Sequence, residues 1–122
     1  MKTIALVLAT VALLAGCGGG SGSPSQPSGS IKVTMTEFKF DPATISASSG
    51  KVVFYVVNAG NGTSHDMVIR DSSGNRIAAS ELISAGSDSV FTVPQISAGI
   101  YTYFCDQAGH EASGMHGDLT VM

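Results

Sequence analysis

Cys105, His110 and Met115 fall five residues apart in the stretch CDQAGHEASGM. A thiolate, an imidazole and a thioether are soft or borderline donors, the kind that a late first-row metal selects over carboxylate oxygen. The stretch joins two runs of β character, IYTYF before it and GDLTV after it. It therefore reads as a loop between strand ends, able to fold its donors around one point. A fourth donor, His65, stands forty residues before Cys105, behind the turn-forming run NAGNGTS and at the start of another strand. Two imidazoles and a thiolate in a trigonal plane, with a weak axial thioether, suit copper that alternates between Cu(II) and Cu(I). Cu(I) prefers soft sulfur and few ligands, whereas Cu(II) prefers nitrogen and tetragonal geometry. A rigid site between the two changes little when an electron passes.

Taken singly, these residues have ordinary readings. A lone Cys is most often a buried core thiol, a lone His a surface residue, and a lone Met packing. Cys105 at a strand end, five residues before His110, favours metal ligation. Met115 lies between Gly114 and His116-Gly117, a poor place for core. His116 is the rival ligand. Met35 and Met67 sit on strands and read as core. Asp106 and Glu111 flank the soft donors singly, lack a third carboxylate, and read as a solvated rim.

The elements that must position these donors are short strands. Ile31, Val33 and Met35 alternate with Lys32, Thr34 and Thr36, the pattern of a half-buried strand. Phe38 and Phe40 continue with the opposite phase, which predicts a bulge or bend, and Asp41-Pro42 predicts a turn. Residues 44–47 read as a short strand, and KVVFYVV at 51–57 as a strand of β-branched and aromatic residues. A loop over 58–64, a strand over 66–70 and a turn over 71–75 follow. Residues 76–79 are ambiguous, and 80–83 read as a short helical turn. Strands are expected over 89–93, broken by Pro94, over 100–105, and over 117–122. Seven or eight short strands with Gly-rich turns predict an all-β Greek-key β-sandwich.

At these residues the chain resembles the cupredoxins, the small blue copper proteins. The likeness covers nearly all of residues 31–122 and is most specific in HDMVI at 65–69 and YTYFCDQAGHEASGMHGDLTV at 101–121. It implies His65, Cys105 and His110 as equatorial ligands and Met115 as the axial ligand of one type 1 copper. The four residues between Cys105 and His110, and the four between His110 and Met115, resemble the spacing of auracyanins and rusticyanin-like proteins. Asp66 stands where many cupredoxins carry an Asn that ties the two ligand loops together. A carboxylate can accept backbone N–H bonds from the facing loop, but as an anion it has no N–H to give the sulfur. The resemblance also implies that the His110 ring edge reaches the surface among small apolar residues. Ala108, Gly109, Ala112 and Gly114 fit that picture, with Gly60 and Gly62 opposite, and redox proteins that donate or accept electrons would dock there.

The chain of 122 residues has room for one domain. Residues 1–16 carry one charge, Lys2, and an apolar run over 4–15. That run is shorter than the roughly 20 residues a membrane-spanning helix needs, so 1–16 reads as a secretory signal. Its end, LAGC at 14–17, resembles the bacterial lipobox, in which the signal is cut before a Cys that carries lipid. Residues 17–30 then comprise lipidated Cys17 and a Gly/Ser/Pro tether whose typical reach is roughly 20 Å. Residues 31–122 form the folded unit. With Cys17 lipidated, Cys105 has no disulfide partner in the chain, so in an oxidising compartment it is inert by burial, reactive, or held by a metal. A charged fraction of 12% and a net charge of −3 leave no basic footprint for nucleic acid. No dinucleotide fingerprint, P-loop or nucleophile elbow is present.

The sequence thus points to a monomeric, extracytoplasmic one-electron carrier, lipid-anchored to a bacterial membrane, that transforms no substrate. The alternative is a copper chaperone or buffer delivering copper to an oxidase. Such carriers tend to expose Met- and His-rich clusters without a ligating Cys, and Cys105 counts against that reading. A copper enzyme would add His-x-His or His-Cys-His ligands, which this sequence lacks. Detergent-extracted mature protein is expected to begin at Cys17 and to carry lipid by intact mass. Unmodified protein released into the medium and cleaved elsewhere would contradict this.

Overall fold

The computed structural model describes residues 25–122. The signal, Cys17 and the tether as far as residue 24 lie outside the described residues. Strands β1 (Ile31–Thr36), β2 (Lys39–Asp41), β4 (Gly50–Asn58) and β7 (Asp88–Ile96) form one sheet, in the order β2-β1-β4-β7. Strands β3 (Thr44–Ala47), β5 (Val68–Asp71), β6 (Arg76–Ala79), β8 (Gly99–Phe104) and β9 (His116–Val121) form the second, in the order β3-β9-β8-β5-β6. The pairs β1–β4 and β3–β9 are parallel and the others antiparallel. The chain is thus the expected all-β sandwich, with nine strands and no helix among the described residues.

Strict alternation builds the core. Strand β4 turns Val52, Phe54 and Val56 inward, and β1 contributes Val33 and Met35. From the other sheet come Ile45, Tyr103, Leu119 and Val121. Phe54 stacks on Phe91 with ring centroids 5.7 Å apart, and Phe40 meets Tyr103 edge-on at 5.1 Å. Met35, on β1, and Met67, just ahead of β5, are both fully buried.

Several elements differ from the sequence reading. Of the bulge or bend expected at Phe38, the chain makes the bend, as a hairpin: Met35 pairs with Phe40 and Thr36 with Lys39, leaving Glu37 and Phe38 as the turn. Phe40 re-enters the core while Phe38 stays exposed. Strand β7 runs on through Pro94, which lies where the β4–β7 register shifts between the Val52–Val93 and Gly50–Ile96 pairs. An edge strand tolerates a missing N–H at such an irregularity. Residues 80–83 are not a helical turn. Ile83 exchanges backbone hydrogen bonds with His65 at 2.8 and 3.0 Å and enters the core. A helix of four residues cannot offset its nucleation cost, whereas this pairing satisfies the same groups. Strand β5 accordingly begins at Val68, after the residues that turn toward Ile83.

The polypeptide enters β1 through a turn in which Ser30 N–H donates to the Pro27 carbonyl at 3.1 Å. Gly117 stands opposite Tyr103 in the β8–β9 ladder, and the Tyr103 hydroxyl donates to the Pro42 carbonyl at 2.6 Å. A methyl group at Gly117 would come within 2.6 Å of the Ala43 carbonyl oxygen and against the Tyr103 ring. Gly117→Ala is expected to cost about 1–3 kcal/mol by overpacking. Urea unfolding would show a lower midpoint at unchanged m; a wild-type midpoint would contradict the argument.

Candidate metal centre

One end of the sandwich gathers the termini of β4 and β8 and the starts of β5 and β9. His65 lies ahead of β5, Cys105 directly after β8, and Met115 directly before β9. The β8–β9 ladder continues past its last strand pair, Phe104 with His116, through Cys105 N–H donating to the Met115 carbonyl at 3.2 Å. Met115 N–H in turn donates to the His110 carbonyl at 3.1 Å. The loop therefore closes on itself, bringing the Met115 backbone against Cys105 and His110. Gly109 and Gly114, with φ of +81° and +112°, supply the left-handed turns just before His110 and Met115.

His65 Nδ1 and His110 Nδ1 are 3.2 Å apart, and Cys105 Sγ lies 3.9 Å from the first and 3.4 Å from the second. The three donors all fall within 4.8 Å of one another. At that separation the two nitrogens are close enough to share a proton or a cation. No carboxylate oxygen belongs to the set, so its chemistry suits a soft or borderline ion and not a hard one. His65, Cys105 and Met115 are fully buried, whereas His110 is half-buried. Met115 is part of the continuous core, contrary to the expectation that its glycine-rich surroundings make a poor core site. His116 is exposed on β9 and stands outside the cluster.

Burial lowers the pKa of His65, and the nearby His110 lowers it further. Glu37 opposes both, and the net shift favours the neutral ring, with a lone pair to give. Burial raises the Cys105 thiol, opposed by the backbone N–H groups of Asp66 and Gln107. A bound cation would reverse that balance and take the sulfur as thiolate.

Asp66 does what a carboxylate at this position can do. Its Oδ1 accepts the backbone N–H of Asp106 at 2.9 Å, joining the His65 segment to the Cys105 loop. Burial, helped by a side-chain hydrogen bond with Asp106, pushes its pKa up to about 6. Asp106 and Glu111 are rim groups, as expected. Arg76 pairs with Asp106 at 2.8 Å, and Arg70 grips Glu111 with two bonds while lying 4.4 Å above the Phe104 ring.

Three residues that shape the site have no role in the sequence reading. Asn58 is fully buried at the end of β4, donates to the Thr63 and Ile83 carbonyls at 2.9 and 2.8 Å, and accepts from Gly60 N–H. It holds the loop that leads to His65. Phe38 packs on His110 with centroids 4.9 Å apart. Glu37 accepts Asn61 N–H through both carboxylate oxygens at 3.1 Å. A polar residue at the inward phase of β4 was the legible signal for Asn58, and the out-of-phase aromatic was the signal for Phe38.

A β-sandwich that converges two imidazoles and a buried thiol on one point, with a core methionine closing the same loop, defines a mononuclear soft-metal protein. The sequence matches the cupredoxin-like domain family over residues 4–121, and the chain belongs to that family. No curated protein matches it. Among solved structures, auracyanin from the photosynthetic bacterium Roseiflexus castenholzii superposes with a TM-score of 0.70 at 21% identity, covering 80% of this chain and 99% of its own. Auracyanin A, described as a blue copper protein, from the green thermophilic photosynthetic bacterium Chloroflexus aurantiacus gives a TM-score of 0.62 at 25% identity, over 76% and 98%. Plastocyanin from Dryopteris crassirhizoma gives 0.54 at 28%, over 75% and 99%. The cluster of His65, Cys105, His110 and Met115 is typical of a type 1 copper site.

Loss of the Asp66–Asp106 link is expected to loosen the two ligand segments relative to each other. Asp66→Ala should weaken copper binding about ten- to hundredfold in chelator competition, the usual cost of removing an outer partner of a metal site. Unchanged affinity would show that the link does not position the ligands.

Proposed function

We propose that the protein is a one-electron carrier whose equatorial ligands are His65, Cys105 and His110 and whose axial ligand is Met115. The observation that carries this reading is the convergence of His65 Nδ1, Cys105 Sγ and His110 Nδ1 within 4.8 Å of one another. Copper held there supplies a one-electron couple. Complete burial of His65, Cys105 and Met115 keeps water from the donors, and the self-closing loop holds them in one arrangement. No substrate is transformed, and the protein works as a monomer.

Electrons pass by way of His110, the half-buried ligand. Ala108, Gly109, Ala112 and Gly114 are exposed around it, and exposed Phe38 packs on its ring. Arg70 and Arg76 offset the charges of Glu111 and Asp106 at the rim. A small, weakly charged apolar face suits brief encounters with redox proteins, which bury little area. The signal-like residues 1–16 and the lipobox-like residues 14–17 support an extracytoplasmic protein anchored by lipid on Cys17. A tether at a membrane raises the effective concentration toward partners held there.

Loaded with Cu(II), residues 31–122 should be blue or green from thiolate-to-copper charge transfer, and Cys105→Ser should abolish the colour. A colourless wild-type complex would overturn the reading. Copper content should also survive repeated oxidation and reduction beside a Cu(I) chelator; rapid loss would favour a copper-delivery protein. Met115→Gln should keep the copper, alter its spectrum and lower its potential, because an amide oxygen favours Cu(II) more than a thioether does. His116→Ala should change neither. The reverse pattern would move the axial role to His116.

A further inference from the structure

When Nδ1 of His65 gives its lone pair to a metal in the cluster, its remaining ring nitrogen, Nε2, carries the proton. That atom is buried and has no hydrogen-bond partner. An N–H buried without an acceptor is costly, so the protein should hold an acceptor near it. The Glu37 Oε1 atom is 3.5 Å away. The carboxylate is fixed in that place: Asn61 N–H binds both its oxygens, and Gly60 packs so closely that a Cβ there would stand 2.5 Å from Oε1. Glu37 and Phe38 form the β1–β2 turn, so the same turn that lays Phe38 on His110 brings a carboxylate to His65.

We propose that Glu37 is a positioning residue for the copper site, the acceptor of the His65 Nε2 proton and the anion that holds the reduction potential down. The inference rests on the copper reading above. A histidine that ligates a metal commonly gives its other N–H to a carboxylate, which fixes the ring and makes it a stronger donor. At 3.5 Å the carboxylate oxygen lies within ion-pair reach of that nitrogen. A negative charge beside the ring stabilises Cu(II) more than Cu(I), so its removal raises the potential.

The test uses the copper-loaded wild type, Glu37→Gln and Glu37→Ala. Glu37→Gln keeps an acceptor but loses the charge, whereas Glu37→Ala loses both. Each is followed by visible spectrum, by potential, and by the NMR signal of the His65 Nε2 proton in the Cu(I) form. All three proteins should be blue. Loss of the charge should change the ratio of Cu(II) to Cu(I) affinity by about tenfold, an upward shift of about 59 mV for a one-electron couple. The Nε2 proton should exchange slowly in the wild type and Glu37→Gln and rapidly in Glu37→Ala. Equal potentials in blue wild type and blue Glu37→Gln would overturn the role of the charge. An Nε2 proton that exchanges alike in all three would overturn the hydrogen bond. A wild type without colour would overturn the copper reading itself, and this inference with it.

Discussion

Two imidazole nitrogens and a sulfur are held within 4.8 Å of one another in a place largely closed to water, and the rest of the domain is arranged around that approach. Each is fixed from a different direction. His65 is held by reciprocal backbone bonds with Ile83, Cys105 by the ladder that runs on to Met115, and His110 by the turns of its own loop. Burial favours the neutral form of His65 and of the Cys105 thiol. The uncharged groups are therefore ready for a cation that supplies the missing positive charge, and binding such a cation releases the thiol proton.

Holding the donors requires that separate stretches of chain share a frame, and a few buried or partly buried polar side chains provide it. Asp66 spans the His65 and Cys105 segments. Asn58 ends the apolar alternation of β4 with an amide that satisfies the Thr63 and Ile83 carbonyls and the Gly60 N–H. Glu37 secures the outer side of the same loop through Asn61. Buried polar groups are tolerated when they are fully hydrogen-bonded, and then they specify one arrangement. Asn58 is such a case, because an apolar residue in its place would preserve the core but leave the loop before His65 unanchored.

Much of this was legible in the chain because it rests on local periodicity and on rare residue types. The alternation in β1 and β4 follows from one face being buried, and Cys105, His110 and Met115 announce themselves by chemistry and even spacing. What was not legible depends on contacts between distant segments. Residues 80–83 carry no strong strand pattern, and their extended course is imposed by His65. Pro94 looks like a strand end until β7 proves to lie at a sheet edge with a register shift beside it. Glu37 is an ordinary surface carboxylate in the sequence, and only the β1–β2 turn brings it to an imidazole 28 positions further on.

The two histidines differ in exposure, and this determines the traffic at the site. His65 lies behind Ile83, Asn58 and the Glu37 turn, and its side is closed to solvent. His110 sits on the loop between β8 and β9, with its ring partly open to solvent. On the proposed reading it is the open doorway for metal as well as for electrons. A partner seated over that doorway would shut it, so the moment of electron exchange would also be the moment when the ion has no way out. Loading and loss would then belong to the intervals between encounters.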